Sequence, residues 1–150
     1  MTDDRYDEGL DLLLELTVLL NEDMTHALAD IGLTSSRTRV LWILHQRGPT
    51  TQKELATALD VSARNVTGLV DALVETGFAT REPHPSDRRA SLVTPTDHAR
   101  KTTAELERQQ HELAHQLFSD MPARRYDGLL KGLRDVRDRV RDLIAAQGAP

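Results

Sequence analysis

The sequence predicts an all-helical fold interrupted once by a short β-hairpin, and three observations carry that expectation. Apolar residues recur at helical spacing through most of the chain. The one strand-like stretch, Phe78 to Val93, doubles back around two prolines and two adjacent arginines. Both ends are apolar helices rather than polar tails. At 150 residues the chain is long enough for one ordinary domain with its own core.

From Tyr6 to about Ile31 the chain is leucine-dense: Leu10, Leu12, Leu13, Leu14, Leu16, Val18, Leu19, Leu20, Met24 and Leu28. A helix apolar on more than one side is buried on more than one side. A body of this size offers it few partners, so the segment is expected to pack within a dimer. Gly32 breaks it, and Leu33-Thr34-Ser35-Ser36 caps a second helix, about Ser36 to Arg47. That helix places Val40, Leu41, Ile43 and Leu44 inward together with Trp42, the only tryptophan. Gly48-Pro49 ends it. Thr51 then caps a short helix, Gln52 to Leu59, with Leu55, Ala56 and Leu59 apolar, and Asp60-Val61 turns into the next element.

Ser62 suits an N-cap, because its hydroxyl can accept from the orphan amides of a first helical turn. Val66, Leu69, Val70 and Leu73 follow at i, i+3, i+4 and i+7, one apolar stripe at helical period. Gly77 is placed to stop the helix as a left-handed cap. Phe78-Ala79-Thr80-Arg81 and Ala90-Ser91-Leu92-Val93 then read as strands around the tip Glu82-Pro83-His84-Pro85-Ser86-Asp87-Arg88-Arg89. Pro95, behind Thr94 or ahead of Thr96 as cap, opens a long helix to about Ser119. After Pro122 a last helix runs from about Ala123 to Gln147. Its Leu129, Leu133, Val136, Val140 and Leu143 are spaced 4-3-4-3 among alternating Arg and Asp, the seam of a helix paired with another helix.

Three short helices, the last two joined by a tight turn, followed by a hairpin, make a winged helix-turn-helix. The fold class expected is therefore all-α with a small β-hairpin wing in one 150-residue domain. Residues 35–95 form the reader, and residues 1–34 and 96–150 form a helical dimerisation region.

Charge narrows the function. The net charge of −5 speaks at first against a polyanionic partner. Yet residues 1–34 hold nine acidic side chains and one basic, whereas residues 35–101 hold ten basic and seven acidic. Beyond a Debye length of about 8 Å the remote acid is screened, so the local sign matters, and the middle block is basic. The absence of cysteine excludes disulfides, thiolate zinc sites and thiol redox sensing. No apolar run approaches the roughly 20 residues of a membrane helix. The opening Met1-Thr2-Asp3-Asp4 is acidic where a signal peptide is basic. A cytoplasmic protein with no cofactor and no membrane partner is expected.

In this order and spacing the residues from about Gly32 to Lys101 resemble the MarR family of bacterial transcription regulators. The most specific part is Asp87-Arg88-Arg89-Ala90-Ser91-Leu92-Val93, similar to the family's D-x-R signature before the second wing strand. Leu33-Thr34, Glu54-Leu55-Ala56, Leu73-Val74-Glu75-Thr76-Gly77-Phe78 and Arg81 support it. One departure is Pro95-Thr96-Asp97-His98-Ala99, where the family usually has Leu-Thr-Pro-Ala-Gly. That alters the entry into the fifth helix and leaves DNA reading untouched. The resemblance implies a homodimer on a pseudo-palindromic operator in double-stranded DNA. It further implies repression relieved by a small-molecule effector, and no enzymatic activity.

Arg64, Asn65, Thr67 and Gly68 lie off the apolar stripe of their helix. In a major groove Arg64 would pair with guanine and Asn65 with adenine, with Thr67 on a phosphate or a thymine methyl. The alternative is a solvated helix face, but this face carries no Lys or Glu before Asp71 and a wing follows. Arg89 is the candidate for a narrow minor groove, where negative potential concentrates. The family pattern has Asp87 orienting its guanidinium, with Arg88 a charged neighbour at the tip. Thr51, Gln52 and Ser62 sit at helix N-termini, suited equally to phosphate oxygens and to plain capping.

His111-Glu112-Leu113-Ala114-His115 is a literal H-E-x-x-H, the zinc-protease pattern. A catalytic zinc needs a third protein ligand, and neither a glutamate nor a third histidine follows. A zinc hydrolase is thus a remote alternative. A zinc-responsive regulator using His111 and His115, with His45 or His26, is a nearer one. Trp42 and His45, three residues apart, are the candidates for lining a phenolic or aromatic effector site, against the plain reading of Trp42 as core. A helical protein-interaction module built on the last helix is the remaining class.

Overall fold

The computed structural model describes residues 3–147. Met1 and Thr2, half of the acidic opening, lie outside the described residues. The element order is α1 (Asp3–Asp30), α2 (Ser35–Arg47), β1 (Thr50–Thr51), α3 (Gln52–Leu59), α4 (Ala63–Glu75), β2 (Ala79–Pro83), β3 (Ser91–Pro95), α5 (Asp97–Phe118) and α6 (Ala123–Gln147). The chain divides into two compact units, residues 1–105 and residues 106–150. Among the described residues no helix is long and apolar enough to cross a membrane.

In the first unit the helix ends follow local chemistry. Thr34 caps α2, its Oγ1 accepting from Arg37 N at 3.3 Å, so the helix starts at Ser35 rather than Ser36. Thr51 and Glu54 form a reciprocal capping box at α3, satisfying two orphan amides at once. Asp60 closes α3 in the left-handed conformation at φ 54°, and Gly77 follows α4 at φ 79°. Thr96 opens α5: its Oγ1 accepts from Ala99 N at 3.1 Å and donates to Gly77 O at 2.7 Å.

The hairpin expected from sequence is present, but it belongs to a three-stranded antiparallel sheet of order β1-β3-β2. The added strand is Thr50–Thr51, paired with Val93 and Leu92 of β3. Around this sheet α2, α3 and α4 close a core in which Val40, Leu41, Leu44, Leu55, Val66, Val70, Leu73, Phe78 and Val93 are buried. Each such side chain contributes about 1.5–3 kcal/mol relative to exposure. Trp42 and Ile43, expected inward, are only half-buried, because they lie at the edge of the α2 stripe centred on Val40, Leu41 and Leu44. The helix α1 behaves differently. Leu28 is buried and Leu13 half-buried, while Leu10, Leu12, Leu14, Leu16, Leu19 and Leu20 are exposed.

In the second unit the end of α5 turns into α6 through Ser119–Pro122. Met121 N donates to Phe118 O at 3.0 Å, and the Phe118 and Tyr126 rings pack at 5.3 Å. No described residue of α6 is buried, and its seam residues Leu133, Val136, Val140 and Leu143 are exposed.

Candidate nucleic-acid interface

The helix α4 is held from below and bare above. Val66, Val70 and Leu73 are buried, Leu69 half-buried, and Arg64, Asn65, Thr67 and Gly68 all exposed. Ser62 caps the helix, its Oγ accepting from Asn65 N at 3.2 Å. A Cβ built on Gly68 would meet nothing within 4 Å. No packing inside the chain therefore requires glycine there, although glycine within a helix costs about 0.8–1.0 kcal/mol against alanine.

The polar residues of this face fall into two groups. Thr51, Gln52, Ser62 and Thr67 already have partners in the chain. Thr51 and Ser62 are caps, and Gln52 Nε2 donates to Thr67 Oγ1 at 3.1 Å. Thr67 Oγ1 donates in turn to Ala63 O at 2.9 Å. Arg81 joins this network from β2. Its Nε donates to Gln52 Oε1 at 3.1 Å, and its Nη2 forms an ion pair with Asp71 of α4. One guanidinium thus ties β2 to α3 and α4, a part that the sequence reading did not assign to Arg81. The other group is Arg64, Asn65, Arg88 and Arg89, whose side chains make no hydrogen bond or ion pair among the described residues. Three free guanidiniums and one free amide are therefore left on α4 and the wing.

The wing tip is pinned by two side chains. His84 Nδ1 accepts from Ser86 N at 3.2 Å and from Asp87 N at 3.0 Å, with Ser86 Oγ 3.3 Å away. Asp87 Oδ1 accepts from Arg89 N at 2.9 Å. This corrects the expected role of Asp87: it holds the backbone amide of Arg89, not the guanidinium. A carboxylate two residues upstream reaches the amide easily, and Arg89 projects from a backbone that is already fixed. The capping carboxylate of Glu54 sits below its ordinary pKa, first through its hydrogen bonds to Thr51, then through the field of Arg47 and His84.

A groove of about 490 Å³ runs between α3 and α4, lined by residues including Lys53, Ala56, Asp60 and Thr67. The rings of Trp42 and His45 meet edge-on at 6.0 Å, with His45 Nδ1 3.4 Å from Thr103 Oγ1. His111 and His115 are exposed on α5, and Glu112 pairs with Arg108 at 2.6 Å. Among the described residues no three His, Cys, Asp or Glu side chains come together to hold a metal ion. Neither zinc alternative gains support, because two imidazoles on one helix turn lack a third ligand.

The MarR family model matches residues 33–91, from the residue before α2's cap to the first residue of β3. The HTH-type transcriptional regulator YwoH of Bacillus subtilis is 33% identical over 102 residues, covering 68% of this chain and 74% of YwoH. The chain belongs to the MarR family. Among solved structures, RV1404 from Mycobacterium tuberculosis matches this MarR-family chain with a TM-score of 0.76 and 25% identity, over 92% of this chain and 94% of that one. The transcriptional repressor CouR, bound to a 23-mer DNA duplex, matches with a TM-score of 0.66 and 28% identity, over 84% and 89%. The chain spans only about half the length of other curated relatives it matches, 56% and 47% in two instances.

Proposed function

We propose that this MarR-family chain is a transcriptional regulator that binds duplex DNA as a homodimer, with no catalytic chemistry of its own. The observation that carries the reading is the set of unpartnered guanidiniums of Arg64, Arg88 and Arg89, spread over the bare face of α4 and the wing tip. In this reading α4 lies in the major groove, where Arg64 and Asn65 meet base edges. Gly68 lets the helix backbone approach closely, and Arg89 enters the adjacent minor groove. Thr51, Gln52, Ser62 and Thr67 face phosphates while keeping their internal bonds. CouR, seen on DNA, supports the partner class.

The dimer rests on α1 and α6, whose exposed apolar residues have no cover within their own helices. Two α4 helices related by a two-fold axis would reach successive major grooves about 34 Å apart on a pseudo-palindromic operator. Repression released by a small aromatic or phenolic ligand at Trp42 and His45 completes the reading. Titration of phenolic acids against the emission of Trp42 checks it, an unchanged spectrum with retained DNA binding removing the ligand from this site.

The deciding experiment is a mobility-shift assay on the DNA upstream of the chain's own gene, extended to a genome-fragment selection, at two salt concentrations. Wild type binds tightly with strong salt dependence, and Arg89→Ala loses most of the specific affinity. Binding that ignores salt, or no binding to any fragment, sinks the DNA reading.

A further inference from the structure

The tip of the wing is held by an imidazole where a turn ordinarily uses Asp, Asn or Ser. His84 is half-buried, and its Nδ1 accepts from the backbone amides of both Ser86 and Asp87. His84 N donates to Ala90 O at 3.3 Å, and Ala90 N donates to Asp87 O at 3.2 Å, closing the loop on itself. The two residues inside this clasp, Arg88 and Arg89, are the free cations of the wing. Only an unprotonated Nδ1 can accept. A proton there replaces two hydrogen bonds with a donor aimed at two donors.

We propose that His84 is a positioning residue for DNA reading, whose Nδ1 fixes the wing tip and whose protonation releases it, making operator affinity fall as the pH drops. The inference rests on the DNA reading above. The charged groups around the imidazole come from the wing and from the helices beside it. Glu82 lies at the end of β2, Asp87, Arg88 and Arg89 share the tip loop, and Glu54 of α3 faces it, with Arg47 of α2 acting on the same carboxylate. The expected sign opposes simple electrostatics. A new positive charge beside DNA would tighten binding by attracting phosphate. Loosening the clasp weakens it, because the arginines must then be ordered at the moment of binding.

The test compares wild type with His84→Asn and His84→Ala on the duplex recovered by the fragment selection, at constant ionic strength from pH 8 to pH 5.5. Asparagine keeps an acceptor near the Nδ1 position and does not titrate. Wild type and His84→Asn are expected to bind alike at pH 8. At the acid end of the series wild type falls behind His84→Asn by about fivefold, the loss that a proton on Nδ1 would bring. His84→Ala is weak at both. The other five histidines are common to all three proteins and cancel in the ratio. Parallel profiles for wild type and His84→Asn overturn the proposal, as does tighter wild-type binding at low pH or full affinity in His84→Ala. A second measurement separates this failure from failure of the DNA reading. In the free protein, the amide resonances of Ser86 and Asp87 follow one protonation step in wild type and none in His84→Asn. Amides that ignore pH in wild type overturn the clasp even if DNA binding is intact.

Discussion

The helices α1 and α4 are both rich in aliphatic residues, and they end in opposite environments. In α4, Val66, Val70 and Leu73 are at most 1% exposed. In α1, Leu10, Leu12, Leu14 and Leu16 are each more than half exposed. The difference is one of arrangement. The apolar positions of α4 keep to one stripe, which a single neighbouring surface covers. The leucines of α1 occupy consecutive and alternate positions, so they point all round the helix and no single neighbour can cover them. A striped helix is finished within one chain. A helix apolar all round is finished only by further surface, and a second copy of the chain is the surface proposed for it.

The largest expected effect breaks the reader itself. Leu73→Ala, deleting a fully buried side chain of α4, should cost about 2–5 kcal/mol, read as a lower midpoint in urea. A loss below 1 kcal/mol would mean that the core collapses onto the gap. Replacing Leu16 and Leu20 together by Glu should leave the helix content of the monomer in place and shift the sedimenting mass from twice 16.8 kDa to 16.8 kDa. A dimer that survives the change places the interface elsewhere.

Gly68→Ala adds a methyl group to the bare face of α4. Its Cβ enters open space, so thermal stability should rise by up to about 1 kcal/mol. If the backbone of α4 approaches DNA at this residue, specific binding falls at the same time. Stability and affinity rising together would show that nothing closes on the glycine. The smallest effect concerns the capping box of α3. The folded pKa of Glu54 is depressed, so its contribution is present above the pKa of the unfolded chain and fades as pH falls through the folded value. Glu54→Gln should therefore lower the melting temperature slightly at pH 7 and not at pH 3. An equal difference at both pH values would exclude the carboxylate as the cause.

Much of the reader was legible from local signals. The caps at Thr51 and Ser62, the left-handed stop at Gly77 and the stripe of α4 each depend on residues within one or two turns of each other. The outward face of Arg64, Asn65, Thr67 and Gly68 followed from the stripe alone. The site was less legible where partners come from afar. Arg81 lies 29 residues from Gln52 and 10 from Asp71, and no periodicity links them. Nor did the wing pattern reveal that Asp87 holds the amide of Arg89, or that His84 accepts from the tip, since a residue type does not state which of its neighbour's atoms it meets. Trp42 is apolar and sits among inward residues, yet its helical position puts it at the margin of the core, half-buried.

By itself the sequence determined the helices, their stops and the hairpin, because caps, glycines and apolar periods act over a few residues. It also determined the contrast between a basic middle and an acidic first helix, which is a matter of composition. Tertiary structure decided which polar groups remain free. The strand Thr50–Thr51 exists only because Leu92 and Val93 arrive beside it. Gln52 and Thr67 are engaged, and Arg64 and Arg89 are free, because hydrogen bonds saturate one partner at a time and the nearest partner is set by the fold.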